Sequence, residues 1–153
     1  MKAVAIAVEL LPQIYAQARA EFPNECCGYL RGPEHADAVD EVVACHNAHE
    51  PNSIIPDRSQ DTAFAIDGRE LLAFVRSLDT NRPAKVIYHS HTNGRAYFSE
   101  ADRRASAEAS GPYYPVQHLV VGVTTDRVVE AALFGWDIVS RDFVELARWP
   151  VLD

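Results

Sequence analysis

The chain has 153 residues, 48% of them hydrophobic, and a formal net charge of -8. That length suits one domain, and that composition suits a sizeable core. The negative balance argues against nucleic-acid phosphates and anionic membranes as partners, and no apolar run is long enough to span a bilayer.

The N-terminal stretch MKAVAIAVELLPQIYAQ is apolar but interrupted by Pro12, Gln13 and Gln17, with Arg19 just beyond. No small-residue cleavage site follows, so it reads as part of the fold and not as a signal peptide. Leu11, Ile14, Tyr15 and Ala18 form one stripe, which predicts a helix over residues 11–20 with Pro12 in its first turn and Pro23 after its end. Residues 26–31 read as a strand closed by Gly32-Pro33, and the Val-rich residues 38–45 as a second. Cys26, Cys27 and Cys45 are an odd set with two adjacent members, a poor disulfide framework that points to a reducing cytoplasm.

Residues 46–62 are polar, carry Pro51 and Pro56 and show no period, which predicts an ordered loop or insertion near a site. A short strand is expected over 63–66. Asp67 then caps a helix with Glu70 three residues on, and Leu71, Phe74, Val75 and Leu78 make its buried stripe. Residues 85–91 form the next strand. An alanine-rich helix starts at Ser99 and is stopped by Gly111-Pro112. Strands 117–123 and 128–134 form a hairpin across Thr124-Thr125-Asp126-Arg127, and a last strand near 143–146 closes the sheet. These elements predict an α+β fold: one domain over residues 1–153, a curved mixed β-sheet flanked by helices.

The segment HSHTNGRAYFSEAD carries the chemistry. On a strand, residues i and i+2 share a face, so His89 and His91 can reach one point in space. Asn93-Gly94 turns the chain, and Asp102 falls in the first turn of the next helix. Two imidazoles and one carboxylate leave a tetrahedral zinc with an open fourth position, the ligand pattern of a catalytic site. Ser99 and Asp102 also read as a capping box. The two readings are compatible, because the cap fixes where the helix begins and so brings Asp102 to the end of the strand.

His89-Ser90-His91, seven residues, Ser99, two residues and Asp102 resemble the signature of the JAMM (MPN+) metallopeptidases. Upstream, Pro23-Asn24-Glu25-Cys26-Cys27-Gly28-Tyr29-Leu30 is similar to the family's glutamate block, P-x-E-x-C-G-x-L. The resemblance covers nearly the whole chain, in the compact form of bacterial single-domain members. Many relatives carry proline after the second histidine and before the serine, where this chain has Thr92 and Phe98.

The resemblance implies a JAMM/MPN fold with a cytidine-deaminase-like layout. It implies one zinc per chain on His89, His91 and Asp102, Glu25 as general base and acid, and Ser99 as a donor to the oxyanion. It further implies a ubiquitin-fold partner, such as a sulfur carrier, cut after a C-terminal Gly-Gly. A conjugate-removing isopeptidase and a non-catalytic interaction module on the same fold are the alternatives, and the oligomeric state is open, a homodimer included. Ser90 faces the other side of the strand and is expected to pack or support. A cysteine nucleophile is disfavoured, because Cys27 before Gly28 suits a small buried thiol. His35, His46, His49 and His118 are not expected as ligands. Arg95, Tyr97 and Phe98 are candidates to line a substrate groove, although Phe98 suits a core equally well.

Overall fold

Two strands lie almost wholly out of water, β5 (Ala84–His91) and β8 (Gln117–Val123), and a sheet is built outward from them. A strand buried on both faces needs neighbours on both edges and helices above and below. The computed structural model describes residues 1–48 and 66–151. In chain order the earlier elements are β1 (Ala5–Ile6), α1 (Leu10–Glu21), β2 (Cys27–Arg31), β3 (Ala38–Val39), β4 (Glu41–Cys45) and α2 (Gly68–Ser77). After β5 come α3 (Glu100–Ser106), β6 (Ala107–Glu108) and β7 (Gly111–Pro112). β8, β9 (Val128–Asp137) and β10 (Asp142–Pro150) end the fold.

The main sheet has six strands in the order β10-β9-β8-β5-β2-β4. Only β5 and β8 run parallel, and the crossover between them carries α3. Leu10, Ile14 and Ala18 of α1 pack on one face against Leu30, Val86, Tyr88, Leu119 and Val121. On the other face Phe74 of α2 meets Tyr29 edge-on at 5.4 Å, beside Ile87 and Val116. The layout is the α+β fold with a mixed sheet that the sequence predicts. Among the described residues no helix is long and apolar enough to cross a membrane.

Gly28 shows how tightly β2, β5 and α1 are joined. It stands opposite Tyr88, and a Cβ built on it would lie 2.3 Å from the tyrosine oxygen. The fully buried ring lies across the glycine, and its hydroxyl donates to Gln17 Oε1 on α1. Gln17 Nε2 in turn donates to the Cys27 carbonyl at 3.0 Å.

Several boundaries differ from expectation. Residues 38–45 are two strands, because the Asp40 N–H turns to the Arg31 carbonyl at 2.9 Å; β3 then pairs with β1 and β4 with β2. β1 has only two residues and gives no periodic signal. On α2, Asp67 caps through the Arg69 N–H, while Glu70 accepts from the His46 N–H instead of closing a capping box. Val75 is exposed and Ser77 is buried, since the Ser77 hydroxyl donates to Phe74 O and accepts from Ala84 N where β5 begins. α3 stops at Ser106, where the carbonyl accepts from Tyr113 N and starts the small β6–β7 hairpin, so Ala107 and Ala109 lie outside the helix. The predicted hairpin is β8–β9. β10 is longer than expected, and a register shift between Glu145 and Ala147 breaks its alternation. Of the strand expected over 63–66, only Ile66 is among the described residues, where it bridges Asn47. Residues 49–65, most of the expected 46–62 loop, lie outside them.

Candidate metal centre

The end of β5 presents His89 and His91 to the face opposite α1. Cys27 pairs with His89, and continuing that register sets Glu25 across from His91. Glu25, His89 and His91 are all buried, and one ligand atom from each lies within 4.8 Å of the others. A Glu/His/His cluster able to coordinate a metal ion is therefore assembled by strand register.

Asp102 arrives from the other direction. Ser99 Oγ accepts from the Asp102 N–H at 3.0 Å, and Asp102 Oδ2 accepts from the Ser99 N–H at 3.0 Å, which completes the expected capping box. The same Oδ2 lies 3.1 Å from His89 Nε2 and 3.0 Å from His91 Nε2, and the two Nε2 atoms are 3.2 Å apart. Three donors each about 2.0–2.1 Å from one tetrahedral centre would stand roughly 3.4 Å from one another. The observed triangle is slightly tighter than that, and a small outward movement would admit a zinc-sized ion. The donors suit one: nitrogens of two imidazoles and a carboxylate oxygen.

The charges agree with the geometry. Burial opposes the charge on Asp102, but attraction to His89 and His91 and their hydrogen bonds outweigh it and hold the carboxyl well below the usual range. Burial lowers His91, against the pull of Asp102. An ionised carboxylate beside an imidazole that resists protonation leaves a buried site with an appetite for a cation.

The connection from β5 to α3 has to fold back sharply. It crosses β8 at Gly122, where a Cβ would lie 2.5 Å from the Gly94 carbonyl. Gly94 itself has φ 79°, a left-handed conformation that favours glycine. Ala96 is then held at both ends of its peptide units. Its N–H donates to Glu130 Oε2 at 2.8 Å, its carbonyl accepts from Arg148 Nη2 at 2.8 Å, and the two side chains pair with each other at 2.8 Å. Tyr97 rests on His91 with ring centroids 4.7 Å apart and remains partly exposed, so it walls the site. Phe98 belongs to the core, packed against His118 and Phe143. Arg95 points outward.

This clamp predicts that Glu130→Ala costs about 1–3 kcal/mol, the scale for leaving a buried N–H without its acceptor. In a domain of this size each kcal/mol is about 2–4 °C in Tm. Thermal unfolding should show that loss, and Glu130→Gln, which keeps an acceptor oxygen, should recover part of it. An unchanged Tm in Glu130→Ala would mean that Ala96 is not held there.

The remaining candidates fall away for physical reasons. His118 is buried among aromatic rings, and burial pushes it down to about 3, so it stays neutral and acts as core. His46 sits on Glu70 and His35 beside Glu34, both at the surface; His49 lies outside the described residues. Burial pushes the Cys26 and Cys45 thiols up to about 12 and raises Cys27 as well. Thiols so far from ionising make poor nucleophiles. Sequence reasoning did not find Asn47, whose Nδ2 donates to the Glu25 carbonyl at 3.0 Å, nor Glu130 and Arg148.

Comparison with known proteins agrees with this arrangement. Residues 7–138 match the family described as prokaryotic homologs of the JAB domain. The CysO-cysteine peptidases of Mycobacterium tuberculosis and Mycobacterium bovis are 34% identical over 109 residues, covering 71% of this chain and 68% of theirs. Among solved structures, the protein DSY2949 from Desulfitobacterium hafniense superposes with a TM-score of 0.65 at 23% identity, covering 92% of this chain and 88% of that one. AF2198, a JAB1/MPN domain protein from Archaeoglobus fulgidus, superposes at 0.50 with 16% identity, covering 93% and 95%. The structural matches speak to the fold, and the sequence matches carry the kinship: this chain belongs to the JAMM/MPN metallopeptidase family, among the prokaryotic homologs of the JAB domain.

Proposed function

We propose that this protein is a zinc peptidase, one catalytic domain over residues 1–153, that cleaves directly after the C-terminal Gly-Gly of a ubiquitin-fold sulfur-carrier protein. The observation that carries the reading is the convergence of Asp102 Oδ2 on His89 Nε2 and His91 Nε2 beside the buried Glu25. It is supported by the likeness to proteins named CysO-cysteine peptidases. His89, His91 and Asp102 would hold one zinc per chain.

When bound, zinc supplies Lewis-acid polarisation of the scissile carbonyl and lowers the pKa of water toward about 7. Glu25 accepts the proton of the attacking water and returns it to the departing amine, so one carboxylate serves both halves of the hydrolysis. Ser99 Oγ already accepts from the Asp102 N–H, which leaves its own proton to donate to the developing oxyanion. A donor of that kind is worth about 2.7–4 kcal/mol. Tyr97 over His91 narrows the approach, and a Gly-Gly tail suits a narrow approach because its backbone carries no side chains. The three cysteines form no disulfide, in keeping with a cytoplasmic enzyme.

The test is mass spectrometry of a folded ubiquitin-fold carrier extended by a few residues after its Gly-Gly. The zinc-loaded protein should trim it to the Gly-Gly end and should cut an unfolded peptide of the same tail poorly. Replacing the terminal glycine of the tail with valine should block cleavage. Equal cutting of both tails, or of arbitrary peptides, would make this a general peptidase. Bound zinc with no cleavage at all would leave an interaction module.

A further inference from the structure

Ser90 stands between the two histidines on β5, faces away from them and is wholly buried. Across the sheet lies Cys26, the residue that follows Glu25. The Ser90 N–H donates to the Cys26 carbonyl at 3.1 Å, as in an ordinary antiparallel pair. The return bond is different. The Cys26 N–H donates to Ser90 Oγ at 2.8 Å, where a regular ladder would use the Ser90 carbonyl. The side chain therefore replaces the backbone acceptor, and the two strands stay joined one residue beyond the regular Cys27–His89 pair. Glu25 is the next residue out, and its carbonyl is taken by Asn47 Nδ2.

We infer that Ser90 is a positioning residue: its hydroxyl oxygen fixes the main chain at Cys26 and thereby sets the reach of the Glu25 carboxylate toward His89 Nε2 and His91 Nε2. The histidines do not depend on this bond, because β5 is independently registered on β8, with His89 opposite Val120 and His91 opposite Gly122. Loss of the hydroxyl should thus displace the glutamate and leave the ligand strand in place.

The inference rests on the peptidase reading for its kinetic arm and stands alone for its structural arm. Ser90→Ala should keep one zinc per chain, by elemental analysis, while amide exchange at Cys26 accelerates. Its kcat should fall about 10²-fold, the scale of a misplacement near 1 Å, with KM little changed. Ser90→Thr keeps the acceptor and should restore most of the rate. Introduced into Glu25→Gln, Ser90→Ala should cost nothing more, because two residues acting through one group are not additive. An equal loss in both backgrounds, a wild-type kcat, unchanged exchange at Cys26, or zinc loss would each overturn the inference. If Ser90→Ala does not fold, Ser90→Cys, whose sulfur is a poor acceptor, takes its place; failure of both to fold would make Ser90 purely structural and overturn it too. A wild-type protein without peptidase activity removes the proposed function instead, and the exchange measurement still decides whether Ser90 holds Cys26.

Discussion

His89→Ala and Asp102→Ala are each expected to strip the protein of zinc and, with it, of all cleavage. Three protein ligands hold a catalytic zinc, and two hold it poorly. The variants differ in what else they remove. His89→Ala opens a cavity in a fully buried place, while Asp102→Ala also breaks the capping box that starts α3. The Ser99 cap on the backbone N–H of residue 102 survives, so what is lost is the return bond to the Ser99 N–H, a net cost of about 0.5–1.5 kcal/mol. Asp102→Asn separates the two effects, since it keeps a polar group at the cap and removes the charge from the metal. A ligand present at 100 times its Kd stabilises the fold by about 2.7 kcal/mol. Added chelator should therefore lower the Tm of the zinc-loaded wild type and leave the variants where they are. Elemental analysis checks the ligand set directly: full zinc occupancy in His89→Ala would remove it from the set.

The parts of this site that were legible in the sequence are the ones written in short-range patterns. His89 and His91 declare a shared face through a period of two, and Ser99 and Asp102 declare a helix start through a spacing of three. Glu25 is 64 residues from His89, and no local pattern links them; its place became visible only through the resemblance of its flanking residues to a known block. The clamp on Ala96 had no such aid. Glu130 is 34 residues away and Arg148 is 52, each a single charged residue on a strand that elsewhere carries other charges. Fold boundaries failed where a tertiary bond overrode a local preference. The alanines after Ser106 favour continued helix, yet the Ser106 carbonyl is captured by Tyr113 and the chain turns into a hairpin. Ser77 lies outside the stripe of Leu71, Phe74, Val75 and Leu78 that hydrophobic spacing picks out, yet it bridges α2 to the first residue of β5.

Glu25→Gln should separate binding from catalysis. Glu25 stands within 4.8 Å of both histidines, close enough to be considered a fourth ligand. Asp102 Oδ2 makes the tighter contact, 3.0–3.1 Å from both Nε2 atoms, and is the better third donor. If Glu25 is the general base, glutamine preserves its size in the buried site and removes its negative charge together with the ability to take and return a proton. Zinc should then stay at one per chain and KM should change little, while kcat should fall about 10²–10⁴-fold, the usual contribution of a positioned acid or base. The main-chain bond from Asn47 to the Glu25 carbonyl is available to wild type and variant alike, and thermal unfolding of Glu25→Gln checks that the fold is kept. Steady-state kinetics and elemental analysis on one preparation give both answers. A rate near wild type would place the base elsewhere. Loss of zinc would make Glu25 a ligand, and the roles assigned to Glu25 and Asp102 would have to be exchanged.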